Sequence, residues 1–495
     1  MSDTLKPIRV RFAPSPTGSM HLGSARTALY NYLIARKTGG TFILRIEDTD
    51  QKRLVQGAEQ ELIDGMHWMG LSWDEGPDIG GPHAPYRQSE RKQLYQKYAR
   101  QLVEMGSAYA CFCTPERLDG VRKHQMEFKE PMHYDGTCRD IPLEEADRRI
   151  AAGERYVVRF KTPREGVTTA RDLLRGDITV ENRNIDDYVL VKSDGLALYH
   201  LAAMVDDHEM EITHVIRGAE WLPSFSLHAL IIRAFGWTEP VWTHLSVFLK
   251  PSGKGKMSKR EAADLIKDGH SIFIKELEGL GYLPEAVVNW IALMGWSYDD
   301  HTEFFKMADL MEKFNLERLN PAPAAINFTK FDYFNGLHIR SLALEDLARR
   351  VKPFFAAQGL PADDATLLRM APLIQERMAT LDEAVELAGF FFRDAIVPAP
   401  EDLVAKGLTA QQSAKVVKHC QTILELLPEF SCAAAEPPLR SLVEELGFTA
   451  GQVFGILRVA ITGQKVSPPL FESMEIMGRD KVLSQLKQAI VLLAQ

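Results

Sequence analysis

The stretch RFAPSPTGSMHLGSARTALYNYLIARKTGGTFILRIEDTD (Arg11–Asp50) constrains the fold more than any other part of the chain. IRVRFAP alternates and reads as a short strand, and HLGSARTALYNYLIARK carries Leu22, Ala25, Leu29 and Leu33 on one helical face. GGTFILRIED follows a glycine break as a second strand. Strand, helix and strand within about forty residues form a βαβ unit, which predicts a parallel sheet. In such sheets ligands lie beyond the carboxyl ends of the strands. The loop APSPTGSMHLGS sits there, just before a helix N-terminus whose free N–H groups and dipole favour phosphate. Its prolines hold it extended and stiff, and Gly23 lets a base or phosphate approach the backbone. His21 can donate to a phosphate oxygen at the helix start. The loop is neither a Walker A sequence nor a GxGxxG fingerprint, and a rigid loop with a histidine cap is an equal reading on these residues alone.

A second basic element bears on the choice. KPSGKGKMSKREAAD (Lys250–Asp264) gathers Lys250, Lys254, Lys256, Lys259 and Arg260 on one glycine-rich loop. Such a loop suits a polyphosphate whose charge grows in a transition state, although alone it would read as a solvated basic segment.

At 495 residues the chain is too long for one core. Its 45% hydrophobic and 25% charged content is that of a soluble globular protein. MSDTLKPIRV has an acid and no apolar run, so no signal peptide is expected. No apolar stretch approaches membrane-spanning length, so a soluble, cytoplasmic chain is expected. The net charge of −9 argues mildly against nucleic acid, though a local patch matters more than the total. YRQSERKQLYQKYAR (Tyr86–Arg100) is one basic helical stretch, read by itself as a solvated face.

YVLVKSDGLALYHLAAMVDD and ITHVIRG resume the strand pattern, with helices between. From about Cys111 to Glu181 the texture changes to Cys, Pro, short strands and many charges, which reads as an insertion into the sheet domain. Beyond about Asp264 helical segments dominate, among them PEAVVNWIALMGW, LEDLARRVKPFFA, AQQSAKVVKHCQTILELL and DKVLSQLKQAIVLLAQ. The five cysteines, Cys111, Cys113, Cys138, Cys420 and Cys432, do not read as a disulfide framework. Two thiolates at CxC spacing with Cys138 as a third can bind zinc, and three reduced thiols without metal are the alternative.

Taken together, HLGS and KMSKR match the HIGH and KMSKS signatures of class I aminoacyl-tRNA synthetases. The longer string RFAPSPTGxxHLGxxRTAL…RIEDTD resembles glutamyl-tRNA synthetases of the bacterial type. The resemblance continues through LYHLAAMVDDHEMEITHVIRGAEWL and LRVAITGQKVSPPLFESMEIMG, nearly the whole chain. Ser24 stands where HIGH ends in His, and Arg260 where KMSKS ends in Ser. Both are common within the glutamyl group.

This resemblance implies an α/β Rossmann-type catalytic domain with an inserted acceptor-binding α+β domain, then an all-α anticodon-binding region. The corresponding divisions are 1–110, 111–196, 197–265, a stem-contact region at 266–335, and 336–495. It implies ATP-dependent activation of L-glutamate to glutamyl-adenylate, dependent on bound tRNA, and transfer to the terminal adenosine of tRNA(Glu) by a monomer. His21 would contact the phosphates, Gly23 would make room for the adenine side, and Lys259 with Lys256 would hold the leaving pyrophosphate. Mg²⁺ would accompany ATP. Ser24 is either a phosphate ligand or a helix-start hydroxyl bonding backbone. Arg217 would take the glutamate side-chain carboxylate or its near neighbour with Arg11 sharing the load, a structural ion pair being the plain alternative for each. Glu47 would pair with the ammonium, and Ala13, Ser15 and Tyr199 occupy further family binding positions.

Related glutamyl enzymes use a CxC…YxxxC zinc pattern, which Cys111, Cys113, Tyr134 and Cys138 fit. His133 and His124 are the conventional alternatives for the fourth ligand. Arg377 in PLIQERMATLDEA stands where the family's arginine goes with selective reading of the third anticodon base; a solvated or salt-bridged arginine is the plain alternative. Rival readings are an enzyme that also charges tRNA(Gln) with glutamate and a non-catalytic tRNA-binding relative. A short tRNA-modifying paralogue would lack the helical half, and a glutaminyl enzyme would have a β-rich one.

Overall fold

A computed structural model describes residues 7–255 and 259–494 of the chain. They divide into two compact units: the chain up to Glu278 with Val287–Phe328, and Gly279–Ala286 with the chain from Thr329 onward.

The first unit holds the main strands, β1 (Arg9–Phe12), β2 (Thr41–Leu44), β3 (Ala108–Cys111), β4 (Val157–Phe160), β5 (Val167–Asp172), β6 (Gly176–Glu181), β7 (Val189–Val191), β8 (His214–Gly218) and β9 (Val241–Leu245). Helix α1 (Leu22–Thr38) joins β1 to β2, which pair in parallel from Arg9↔Thr41 to Phe12↔Leu44. This is the βαβ unit expected from the opening stretch. The buried face of α1 includes Leu22, Ala25, Leu29 and Leu33, and Arg36 and Lys37 complement the dipole in its last turn. The helix ends on Gly39 in a left-handed conformation, φ 62°, which costs glycine nothing.

Strands β8 and β9 are also parallel, and Thr213, just before β8, donates its N–H to the Arg9 carbonyl at 3.0 Å, setting β8 beside β1. Helix α2 (Ala58–Trp68) follows β2, and α3 (Lys92–Glu104) follows a 3-10 turn at Gln88–Arg91. The segment read as a solvated basic face is only partly so. Gln88, Arg91, Tyr95 and Tyr98 are buried, and Arg91 donates to the buried Asp206 at 2.7 Å.

Strands β3, β4 and β7 form a separate antiparallel sheet, with α4 (Pro115–Phe128) and α5 (Leu143–Ala151) in the long connection from β3 to β4. The β5–β6 hairpin instead joins the edge of the β9–β8 sheet through Asp172↔Trp242. The texture change in the sequence therefore covers two structures, a small cysteine-bearing sheet and an extension of the main one. LYHLAAMVDD departs from the strand pattern read in it. From Tyr199 it is helix α6 (Tyr199–Glu209), buried around most of its circumference, so no amphipathic period marks it. Helix α7 (Phe225–Phe235) then leads into β9, and α8 (Lys259–Leu265), α9 (Ile274–Gly279), α10 (Pro284–Leu293) and α11 (Met307–Lys313) follow.

The second unit is helical, from α12 (Phe328–Arg340) through α13 (Leu344–Ala357), α14 (Asp364–Ile374), α15 (Glu383–Ala388), α16 (Ala410–Leu426), α17 (Cys432–Leu446), α18 (Ala450–Thr462), α19 (Leu470–Met477) and α20 (Arg479–Leu493). Thr409 and Thr449 cap α16 and α18 in capping boxes with Gln412 and Gln452. One core gathers Leu347, Val351, Phe355 and Leu367, and another Val416, Leu424, Leu457 and Leu486. Among the described residues no helix is long and apolar enough to cross a membrane.

Candidate active site and cysteine cluster

The carboxyl ends of the parallel strands carry a dense set of buried charges. Arg11 and Arg217 are the next-to-last residues of β1 and β8, His244 holds the same place on β9, and Arg45 and Glu47 follow β2 directly. Arg11 donates from Nε to Asp207 Oδ1 at 3.0 Å and from an Nη to Oδ2 at 3.3 Å. Arg45, fully buried, donates to Asp207 Oδ1 at 2.8 Å and to Glu47 Oε1 at 3.0 Å. Charges alternate along Arg11, Asp207, Arg45 and Glu47, so each buried ion has a partner. Burial still pushes the Glu47 carboxyl up, although Arg45 and Arg11 pull it down. A cation brought beside Glu47 would offset that burial.

Arg217 is different. It is only 4% exposed, and among the described residues no carboxylate lies within ion-pair distance of it. Its three hydrogen-bond partners are neutral, Nε to His244 Nε2 at 3.0 Å, one Nη to His228 Nδ1 at 2.9 Å and the other to the Tyr199 hydroxyl at 3.3 Å, and the guanidinium lies 4.9 Å over the Trp242 ring. Burial depresses its pKa, with Tyr199 acting against it. Tyr199 stacks on Trp221, ring centroids 3.8 Å apart, and burial pushes its phenol up to about 12. Of the two arginines that the sequence puts to the same task, Arg11 is already paired and Arg217 is a desolvated cation without an anion.

Above these strand ends, His21 caps α1. Its Nδ1 accepts the N–H of Gly23 at 3.0 Å and of Ser24 at 3.2 Å. A Cβ on Gly23 would stand 3.0 Å from the imidazole carbon, so glycine there makes room for this ring. The Ser24 hydroxyl donates to the His21 carbonyl at 2.8 Å and accepts its N–H at 3.1 Å, the backbone-bonding alternative left open for that residue. Because Nδ1 accepts two hydrogen bonds, the proton of the neutral ring is on Nε2, a donor not used by the cap. The ring edge is solvent-accessible, yet surrounding protein lowers its pKa by desolvation while Glu220 acts to raise it. Ser15 is exposed and Ala13 half-buried on the same loop, which Glu47 fastens by donating its N–H to the Pro14 carbonyl at 2.9 Å.

The basic element is brought to this loop by the chain that follows it. Leu22 donates to the Ile272 carbonyl at 2.8 Å, and Ile274 to the Met20 carbonyl at 2.9 Å, a few residues beyond α8. Lys259 begins α8, and Lys256 lies outside the described residues.

In the β3–β4–β7 sheet, the sulfurs of Cys111, Cys113 and Cys138 lie within 4.8 Å of one another, with Cys113 and Cys138 3.6 Å apart. Tetrahedral Zn–S bonds of about 2.3 Å place sulfurs about 3.8 Å apart, so this set can hold one ion. The Tyr134 hydroxyl is inside the cluster, 3.4 Å from Cys111 Sγ and 3.3 Å from Cys113 Sγ. Arg159 lies over its ring at 4.1 Å. His133 and His124 turn to Asp186 and Glu130, 4.0 Å away in each case, and neither belongs to the cluster.

In the second unit, Arg377 ends a 3-10 turn and donates to the Ser467 carbonyl at 2.9 Å. Arg458 donates to the same carbonyl at 3.2 Å, and desolvation followed by the charge of Arg377 lowers its pKa. Arg458 was not singled out in the sequence; its position inside α18 reads as ordinary helix surface. Sequence reasoning also passed over Asp207, Arg45, His228, His244 and Asp172. The acidic pair in VDDHE, set in an otherwise apolar helix, was the available signal.

Alternating buried charges at the carboxyl ends of parallel strands, a histidine-capped helix above them and an all-helical second unit define a class I tRNA synthetase. Residues 7–333 match the family of class I tRNA synthetases (E and Q), catalytic domain, and residues 346–490 match an anticodon binding domain. The chain is 45% identical to the glutamate–tRNA ligase of Dehalococcoides mccartyi, covering 99% of this chain and 98% of that one. It is 45% identical to the one from Chloroflexus aurantiacus over 100% and 99%. A solved glutamate tRNA ligase from Elizabethkingia meningosepticum, in complex with its amino acid, superposes with TM-score 0.88 at 36% identity, covering 98% of this chain and 99% of that one. The chain belongs to the bacterial glutamate–tRNA ligase family.

Proposed function

We propose that the chain activates L-glutamate with ATP and transfers it to the 3′ terminal adenosine of tRNA(Glu), with the residue roles that follow. The observation that carries these roles is Arg217, a buried guanidinium whose neutral partners leave its charge for a substrate carboxylate. Glu47 receives the substrate ammonium, which offsets the cost of its own burial. Arg11, held by Asp207, forms the floor of the pocket and adds positive potential. Tyr199 closes the side next to Arg217, and Ala13 and Ser15 line the loop above. His21 donates from Nε2 to the phosphates, and Lys259 and Lys256 hold pyrophosphate as it leaves. Mg²⁺ would accompany ATP and would supply charge neutralisation at its phosphates. The glutamate carboxylate then attacks the α-phosphorus in line, a step governed by positioning and charge.

In the second unit Arg377 and Arg458 form a cationic pair for single-stranded anticodon bases, which side chains can read once splayed. Charging of purified glutamate and glutamine tRNAs side by side is the test. Wild type is expected to prefer the glutamate tRNA, and Arg377→Gln to narrow that preference by about 10-fold, the discrimination typical of one base contact. Equal charging of both tRNAs by wild type would refute the discriminating role.

Cys111, Cys113, Cys138 and Tyr134 hold one structural zinc, which ties β3 to the connection carrying α4 and α5. Elemental analysis is expected to give one zinc per chain, and Cys138→Ser to give none with a lowered melting temperature. A stoichiometry near zero in metal-replete protein rejects the site.

A further inference from the structure

A line of polar side chains runs through the first unit: the buried Asp172, His244, Arg217 and His228, and the half-buried His200. Asp172 Oδ1 accepts the backbone N–H groups of Leu174 and Arg175, each at 3.0 Å. Its Oδ2 accepts the His244 N–H at 2.9 Å and lies 2.8 Å from His244 Nδ1. An ionised carboxylate only accepts, so His244 Nδ1 carries the proton and Nε2 presents its lone pair to Arg217. On the other side Arg217 donates to His228 Nδ1, and His228 Nε2 is 3.0 Å from His200 Nδ1. A guanidinium has no acceptor, so His228 is protonated on Nε2 and His200 accepts. Every tautomer on the line follows from Arg217 and Asp172.

We infer that His228 and His244 are specificity-determining positioning residues: two neutral imidazoles hold Arg217 in one orientation without cancelling its charge, which reserves that charge for the substrate's side-chain carboxylate. An acid in either place would neutralise the guanidinium and let a neutral amide compete. A protonated imidazole would repel it. The surroundings keep both rings neutral. For His244, burial outweighs the pull of Asp172, with Arg217 and Arg175 adding to it, and the ring is pushed down to about 4. For His228, burial comes first, and Arg217, His200, His244 and Arg11 all act in the same direction. Both rings are fully buried, so water does not substitute for them as acceptors.

The inference rests on the reading that Arg217 receives the glutamate side chain, and the experiment separates the two. His228→Asn and His228→Asp are nearly isosteric, and each offers an oxygen where Nδ1 stands, but only the aspartate brings a charge. Glutamate KM, ATP KM and the glutamate-over-glutamine preference are measured by tRNA-supported ATP–pyrophosphate exchange. The Asn variant is expected to stay within about threefold of wild type. The Asp variant is expected to raise glutamate KM about 10–100-fold, the range for altering a hydrogen bond to a charged group, to leave ATP KM unmoved and to lose preference over glutamine. Equal KM and equal preference in the two variants overturn the inference. If the Asp variant does not fold, His228→Asn against His228→Leu tests the holding role instead: leucine offers Arg217 no acceptor and is expected to raise glutamate KM with ATP KM unmoved, and equal glutamate KM in the two variants overturns the inference. If Arg217→Ala itself keeps glutamate affinity and preference, the assignment of Arg217 fails instead.

Discussion

Replacing Arg217 by alanine is expected to lower kcat/KM for glutamate activation by about 10²–10⁴-fold and to abolish the preference for glutamate over glutamine. Removing one partner of a buried ion pair costs about 3–5 kcal/mol, because the other charge is left desolvated. In the variant that charge is the substrate carboxylate. The loss should fall mainly on glutamate KM, since the contact is made far from the reacting phosphorus and contributes similarly in the ground and transition states. In wild type, glutamine should be rejected at activation, because its amide would leave the guanidinium buried without an anion. Arg217→Lys should recover little. An ammonium is a point donor and cannot hold His244, His228 and Tyr199 together as the planar fork does. ATP–pyrophosphate exchange in the presence of tRNA measures both quantities. A variant that kept glutamate affinity and discrimination would remove Arg217 from the substrate site.

The parts of this site legible in the sequence are those with a local signature. The βαβ opening could be read because its helix, although buried nearly all round like α6, is long and ends on Gly39, and its strands are bounded by glycine and proline, signals that act over a few residues. The cysteine cluster could be read from CxC spacing, and Tyr134 from the resemblance. The partners that give Arg217 its character could not. Asp172, His228 and His244 lie on β5, α7 and β9, and each looks locally like an isolated polar residue in a buried element. Only strand pairing puts Asp172 next to Trp242 and Arg217 next to His244. Helix α6 misled for a related reason, since a helix buried on nearly every side has no polar face to set its period.

Net charge misled through averaging. A total of −9 pointed away from nucleic acid, whereas the family to which the chain belongs acts on tRNA. Many of the acids are spent inward or on local pairs: Asp206, Asp207, Asp187 and Asp172 are buried among arginines and histidines. Arg11, Arg45 and Arg91 are withdrawn from the surface with them, so burial shifts the balance little, and the total is silent on where the remaining charges lie. The arginine pair Arg377 and Arg458 converges on a single backbone carbonyl, so a locally cationic site coexists with an acidic chain. Binding depends on that local arrangement.

His21→Asn and His21→Ala are expected to separate two roles that one ring performs. The Nδ1 side caps α1, and asparagine is among the best capping residues, so His21→Asn should leave the melting temperature close to wild type. Alanine gives up the cap and is expected to cost about 1 kcal/mol of stability. The Nε2 side has the other role. If it donates to the phosphates as charge builds on them, both variants should lose about 10²–10³-fold in the rate of adenylate formation, the loss typical of one donor aimed at a developing charge. Glutamate affinity should be little changed in either, because the ring belongs to the loop above the pocket rather than to the strand ends that hold the amino acid. Single-turnover adenylate formation with tRNA present measures the rate, and thermal denaturation measures the cap. A normal rate in His21→Asn beside a lowered melting temperature in His21→Ala would leave His21 as a helix cap alone. The phosphate contact would then pass to the lysines of the basic loop, since the first N–H groups of α1 are taken by the cap and by the Ile272 carbonyl.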